Sequence, residues 1–126
     1  MPFALGIDQG TTQTTAVVVD EQGRTVARRA VQLPIRFPQP GWVEQDPWDI
    51  LATVRQAATP LLEAYAVDAI GFDNQGETFL LWDSISGQPL TPAIVWQDQR
   101  GVAVCEQLAG VVQADWLRQK REACEK

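Results

Sequence analysis

Asp8-Gln9-Gly10-Thr11-Thr12-Gln13-Thr14-Thr15 places a carboxylate, a glycine and a run of hydroxyls in one short stretch. Gly10 lets the backbone turn sharply, so that successive amides can converge on phosphate oxygens, and the threonines add donors without adding charge. Asp8, at the start of the turn, can hold Mg²⁺ directly or through water, because magnesium favours carboxylates combined with phosphates and several waters. The same stretch would also serve as a plain β-hairpin turn with surface threonines, since it is neither a Walker A loop nor a GxGxxG fingerprint. A second candidate is Asn74-Gln75-Gly76-Glu77-Thr78. Its density of hydrogen-bonding side chains suits a polyhydroxylated ligand, where each missing partner would leave a buried polar group unpaired; the alternative is a solvated loop. In the third, Trp96-Gln97-Asp98-Gln99-Arg100, Trp96 can cover the carbon face of a ligand, or else Asp98 caps a helix and Trp96 belongs to the core.

The elements around these residues read as an α/β domain. Phe3, Leu5 and Ile7 alternate with small residues and predict a short buried strand ending at the Asp8-Gln9-Gly10 turn. The β-branched run from Thr14 to Asp20 predicts a second strand. Glu21-Gln22-Gly23 predicts a tight hairpin with Gly23 at positive φ, and Thr25 to Leu33 the returning strand, giving a three-stranded antiparallel start. Pro34 to Gln45 reads as a loop anchored by Trp42. Asp46 caps a helix with Pro47 at its first position; Ile50, Leu51, Val54, Ala57, Ala58, Leu61 and Leu62 form its apolar face, and Pro60 kinks it or marks its last turn. Val67 to Asp73 and Thr78 to Trp82 read as two buried strands flanking the Asn74–Glu77 turn. Ala93 to Trp96 is a short extended piece, and from Asp98 the chain turns helical, with Val102, Cys105 and Leu108 on one side. The tryptophans at 42, 48, 82, 96 and 116 are expected in the core by default.

Composition narrows the classes. The 126 residues fit a single domain, and a net charge of −6 with no basic segment before the last residues argues against nucleic acid or an anionic membrane as partner. Arg118, Lys120, Arg121 and Lys126 lie among Asp115, Glu122 and Glu125 and read as a solvated helical face. There is no histidine, and Cys105 and Cys124 lack CxxC spacing, so zinc sites and His-based triads are excluded. The start of the chain carries neither a secretory signal nor a membrane span, which gives the expectation of a cytoplasmic protein with reduced thiols.

Four segments, in order, resemble the FGGY carbohydrate kinases, and the glycerol kinases among them. They are Asp8-Gln9-Gly10-Thr11-Thr12, then Phe37 to Pro47 (FPQPGWVEQDP), then Asn74-Gln75-Gly76-Glu77-Thr78 with Trp82-Asp83, then Ala93 to Arg100 (AIVWQDQR). The resemblance runs from about residue 3 to 108 and treats 1–126 as a partial amino-terminal kinase domain. It implies a ribonuclease-H-like, actin-like ATPase fold, with ATP and Mg²⁺ as cofactors and a sugar or polyol between two domains. Carried over by position, Gly10, Thr11, Thr12 and Gln13 resemble the phosphate turn, Asp8 the carboxylate near Mg²⁺, and Gly76, Glu77 and Trp96 the substrate positions. Glycerol kinases usually have Arg where this chain has Gly76, and tend to have Arg where it has Thr15, so the resemblance points towards a larger polyol or ketose. The family's general base lies beyond residue 126, so the resemblance implies no catalytic base in this chain, an incomplete protein inactive alone, and exposed apolar surface favouring self-association. The alternatives are a non-catalytic binding or assembly module and another actin-like ATPase.

Overall fold

Alternation of apolar and small side chains makes Phe3–Gln9 a strand, β1, with Leu5, Ile7 and Gln9 buried on one face and Asp8 exposed on the other. The computed structural model describes residues 2–109. β2, Gln13–Val19, pairs antiparallel with β1, setting Asp8 opposite Thr15 and Gln9 opposite Thr14. The hairpin to β3, Thr25–Gln32, turns at Gly23 with φ of 75°. Its geometry is held by Asp20, whose buried carboxylate accepts from the Gln22 and Arg24 amides at 3.0 and 2.9 Å. The predicted antiparallel start is therefore present.

Asp46 caps α1, Pro47–Ala64, by accepting the Trp48 amide at 2.9 Å, with Pro47 in the first turn. Pro60 opens the last turn, and the helix continues to Ala64. The buried face of α1 differs from the expected one. Leu51 and Leu62 are exposed, whereas Thr53, Ala57, Ala58 and Leu61 are buried against Leu5, Ile7, Ala16 and Val18. Thr53 fits inside because its hydroxyl is doubly met: it donates to the Ile50 carbonyl and meets the Thr14 hydroxyl, each at 2.8 Å. The helix carries the chain over the sheet to β5, Val67–Asn74, which lies parallel to β1 with Asp73 beside Asp8. The sheet order is β3-β2-β1-β5.

Several expectations need correction. β5 is exposed along almost its whole length, with Ile70 and Phe72 open, so the Asn74–Glu77 turn does not join two buried strands. Thr78 to Trp82 is not a regular strand. It makes isolated bridges at Phe79 and Trp82, because between them the Leu81 amide bonds the Thr91 hydroxyl in place of a backbone carbonyl. Within the expected loop, Glu44–Gln45 forms β4, which pairs antiparallel with β6, Ala93–Ile94. The second helix, α2, spans Val102–Ala109 rather than starting at Asp98, and its side chains, Val102 and Leu108 included, are exposed. Trp42 is half-buried and Trp48, Trp82 and Trp96 are exposed, so no described tryptophan belongs to the core. Aliphatic and alanine side chains fill the space between sheet and helix instead. Trp116, Cys124 and the basic group near the end lie outside the described residues.

Candidate functional site

The carboxyl ends of parallel strands are where open α/β sheets place ligands, and the ends of β1 and β5 lead into a cleft of about 460 Å³. It is lined by Asp8, Gly10 and Thr11 from the first turn, by Asn74 to Glu77 from the second, and by Trp96. Sequence-predicted residues far apart in the chain thus face one space. Thr12 and Gln13 stand outside this lining; Gln13 donates to the Thr15 hydroxyl and accepts from Gln32.

The first turn is closed by the Gly10 amide donating to the Gln13 carbonyl at 3.0 Å. A Cβ at Gly10 would stand 3.0 Å from that same carbonyl oxygen, so the position is held to glycine by close approach of backbone. Among the described residues the Thr11 and Thr12 amides have no intramolecular hydrogen-bond partner, leaving donors at the tip of the turn. Thr11 Oγ1 accepts the Trp96 indole N–H at 2.9 Å, which leaves its own hydroxyl hydrogen free to donate. Asp8 is exposed at the cleft, and no group of three His, Cys, Asp or Glu side chains gathers among the described residues. One exposed carboxylate beside free backbone amides suits a cation shared with phosphates and water.

In the second turn the Gln75 amide donates to the Gln9 carbonyl at 2.9 Å, extending the β1–β5 pairing by a residue. Glu77 has φ of 63°, the one described non-glycine residue in the left-handed region, a conformation uncommon for a residue of this type and concentrated at functional sites. A Cβ at Gly76 would meet nothing within 4 Å, so the position is not held to glycine by close packing.

Trp96 is placed by a support on its far side. Val95, buried, donates to the Val43 carbonyl at 3.0 Å, and Asp98 accepts the Val43 amide at 2.7 Å. Arg100 grips both Asp98 oxygens at 2.8 Å and Glu44 at 2.7 Å, and its guanidinium lies 3.8 Å above the Trp42 ring. Asp98 therefore acts as a brace between segments, not as the predicted helix cap. Its hydrogen bond from Arg100 is the largest influence holding its carboxyl down, from 3.8 to about 2. Because the folded-state value is depressed, the stabilisation is present above about pH 4 and is lost as pH falls towards 2. Thermal melts should show Asp98→Asn below the wild type at neutral pH, with the gap closing between about pH 4 and 2; a gap independent of pH would show the brace is not ionic.

Sequence reasoning quoted Gln9, Gln45 and Gln75 within its motif segments but did not read them as linked behind the cleft. Gln9 and Gln45 are buried and Gln75 half-buried. The signal available was alternation: Val43 and Gln45 point inward with Glu44 between them, and a buried amide requires partners on both ends.

The chain matches the model of the FGGY family of carbohydrate kinases, N-terminal domain, over residues 3–124. It belongs to that family. Among relatives of this FGGY chain, the glycerol kinase of Delftia acidovorans is 44% identical over 125 residues, covering 95% of this chain and 25% of that protein. The glycerol kinase of Rhodospirillum rubrum is 49% identical over 113 residues, covering 86% and 23%. Of solved structures, Plasmodium falciparum glycerol kinase with ADP superposes with a TM-score of 0.84 at 30% identity, covering 90% of this chain and 24% of that one. The xylulose kinase of Rhodospirillum rubrum gives 0.83 at 25%, covering 90% and 24%. The α/β architecture is that of the FGGY kinases, the actin-like ATPase fold expected from the resemblance. The chain spans about a quarter of the length of these relatives. No described helix is long and apolar enough to cross a membrane.

Proposed function

We propose that the full-length protein transfers the γ-phosphoryl group of ATP to a hydroxyl of a neutral sugar or polyol. The observation that carries this reading is the single cleft in which the turn bearing Asp8 and Thr11 faces the turn bearing Gly76 and Glu77, with Trp96 beside both. A phosphate donor and a polyhydroxylated acceptor would meet there. Gly10 shapes the turn, the Thr11 and Thr12 amides and hydroxyls bind phosphate oxygens, and Gln13 supports the turn from behind. Asp8 would hold Mg²⁺ together with the phosphates, which supplies neutralisation of the charge on the transferring group. Glu77 accepts hydrogen bonds from acceptor hydroxyls, and Trp96 covers the carbon face. The acceptor oxygen bonds to the γ-phosphorus as the bond to the ADP oxygen breaks, and the hydroxyl proton passes to a base that the resemblance places beyond residue 126. Positioning and charge neutralisation carry most of such a rate.

Among the described residues the charged side chains lining the cleft are the carboxylates Asp8 and Glu77, which favours an uncharged acceptor over a sugar acid. Gly76, where glycerol kinases usually have an arginine, favours an acceptor longer than glycerol. The test is ADP release by the full-length protein with Mg·ATP, across glycerol, longer polyols, ketoses and aldonates. Turnover with a neutral acceptor longer than glycerol is the expected result. Binding of polyol without ADP release would instead support a non-catalytic binding module, and activity confined to aldonates would overturn the charge argument.

A further inference from the structure

Gln45 is wholly buried, and an amide in that position is tolerated only when both its ends are met. It sits in β4 opposite buried Ala93, and its side chain reaches between the two turns of the cleft. Nε2 donates to the Thr11 carbonyl at 2.6 Å, and Oε1 accepts from Gln75 Nε2 at 2.9 Å. Gln75 Oε1 accepts from the Thr78 hydroxyl at 3.1 Å, and the Thr78 oxygen accepts the Trp96 backbone N–H at 3.1 Å. The Trp96 indole then closes the circuit on Thr11 Oγ1.

The hydrogens around this circuit have one consistent assignment. A carbonyl only accepts, so Gln45 must present nitrogen to Thr11 and oxygen to Gln75. Gln75 uses its nitrogen on Gln45 and so presents oxygen to Thr78, whose hydroxyl donates to it while accepting the Trp96 N–H. Reversing the Gln45 amide breaks a bond at each of its ends, and reversing that of Gln75 sets its oxygen against the Gln45 oxygen. The two turns are therefore not held apart by packing alone; a directional chain of hydrogen bonds sets their spacing.

We propose that Gln45 is a positioning residue that locks the Thr11 turn to the Gln75–Thr78 turn, so that a ligand held by one orders the other. This rests on the kinase reading above, which assigns phosphate to one turn and acceptor to the other. Gln45 itself touches neither ligand; it acts through Thr11 and Gln75.

Two variants of the full-length protein test it. Gln45→Leu fills the space with neither donor nor acceptor. Gln45→Glu keeps the shape but can donate to Thr11 only when protonated, and burial raises the pKa of such a carboxyl. Mg·ADP is the probe, followed by calorimetry and by amide hydrogen exchange of residues 74–78. In the wild type Mg·ADP should slow that exchange. In Gln45→Leu the slowing should be lost, with kcat/KM for the acceptor lower by about tenfold to a hundredfold. Gln45→Glu should regain activity relative to wild type as pH falls from about 8 to about 6. Wild-type binding of Mg·ADP combined with unchanged protection in Gln45→Leu, or a Gln45→Glu profile parallel to wild type, overturns the positioning role and leaves the kinase reading standing. A wild type that does not bind Mg·ADP overturns both. If Gln45→Leu fails to fold, the pH comparison with Gln45→Glu decides.

Discussion

On the proposed function, Asp8→Asn should lower kcat/KM of the full-length protein by about a hundredfold to a thousandfold, the range for losing one preorganised electrostatic contact to developing charge. The variant is well suited to separating catalysis from stability. Asp8 is exposed and lies in register beside Asp73 across the parallel pair, where like charges disfavour pairing. Removing one charge should leave the melting temperature at or above that of wild type. Titration with Mg²⁺ distinguishes the cause: if Asp8 holds the cation, the variant should need more Mg²⁺ for half-maximal rate. An unaltered rate, or a fall in rate matched by a fall in melting temperature, would remove Asp8 from the phosphate chemistry.

Gly76→Arg should raise kcat/KM for glycerol by about tenfold to a hundredfold, from about 1.5–3 kcal/mol for hydrogen bonds to a charged donor. The resemblance to glycerol kinases carries an arginine at this point of the turn, and a planar guanidinium can donate to adjacent hydroxyls together. The backbone permits it. Gly76 is outside the positive-φ residues, and a Cβ there has no neighbour within 4 Å. The carboxylates of Asp8 and Glu77 line the same cleft and would hold the new charge. The activity on a longer polyol or ketose should fall in the same variant, since the side chain occupies the space that acceptor would fill. Equal changes for short and long acceptors would show that Gly76 does not set specificity.

Local signals were read correctly from the sequence. Alternation in β1 and β2, glycine at the Gly23 hairpin and the Asp46-Pro47 start of α1 each depend on neighbouring residues only, and all are present. The misread features depend on distant contacts. Trp96 looks like a core residue by type, yet β6 pairing with β4 delivers it to Thr11, 85 residues away. Thr53 looks polar on an apolar helix until Thr14 is placed beneath it. Gln45 reads as a loop residue because the alternation of Val43, Glu44 and Gln45 is too brief to mark β4 as a strand. The motif segments included Gln45 and Gln75, but their spacing alone does not show that these two amides join the turns. Phe79 to Trp82 failed for another reason: β-prone residues were present, but Thr91 intercepts the ladder with its side chain.

Glu77 holds a backbone conformation that glycine or asparagine would adopt at less cost. On the proposed function, folding and function therefore make opposed demands on one residue. Any procedure that improves this protein for thermostability alone would tend to replace Glu77 first, and would remove a carboxylate from the cleft in doing so. Position 77 is the place to leave untouched when the rest of the domain is engineered.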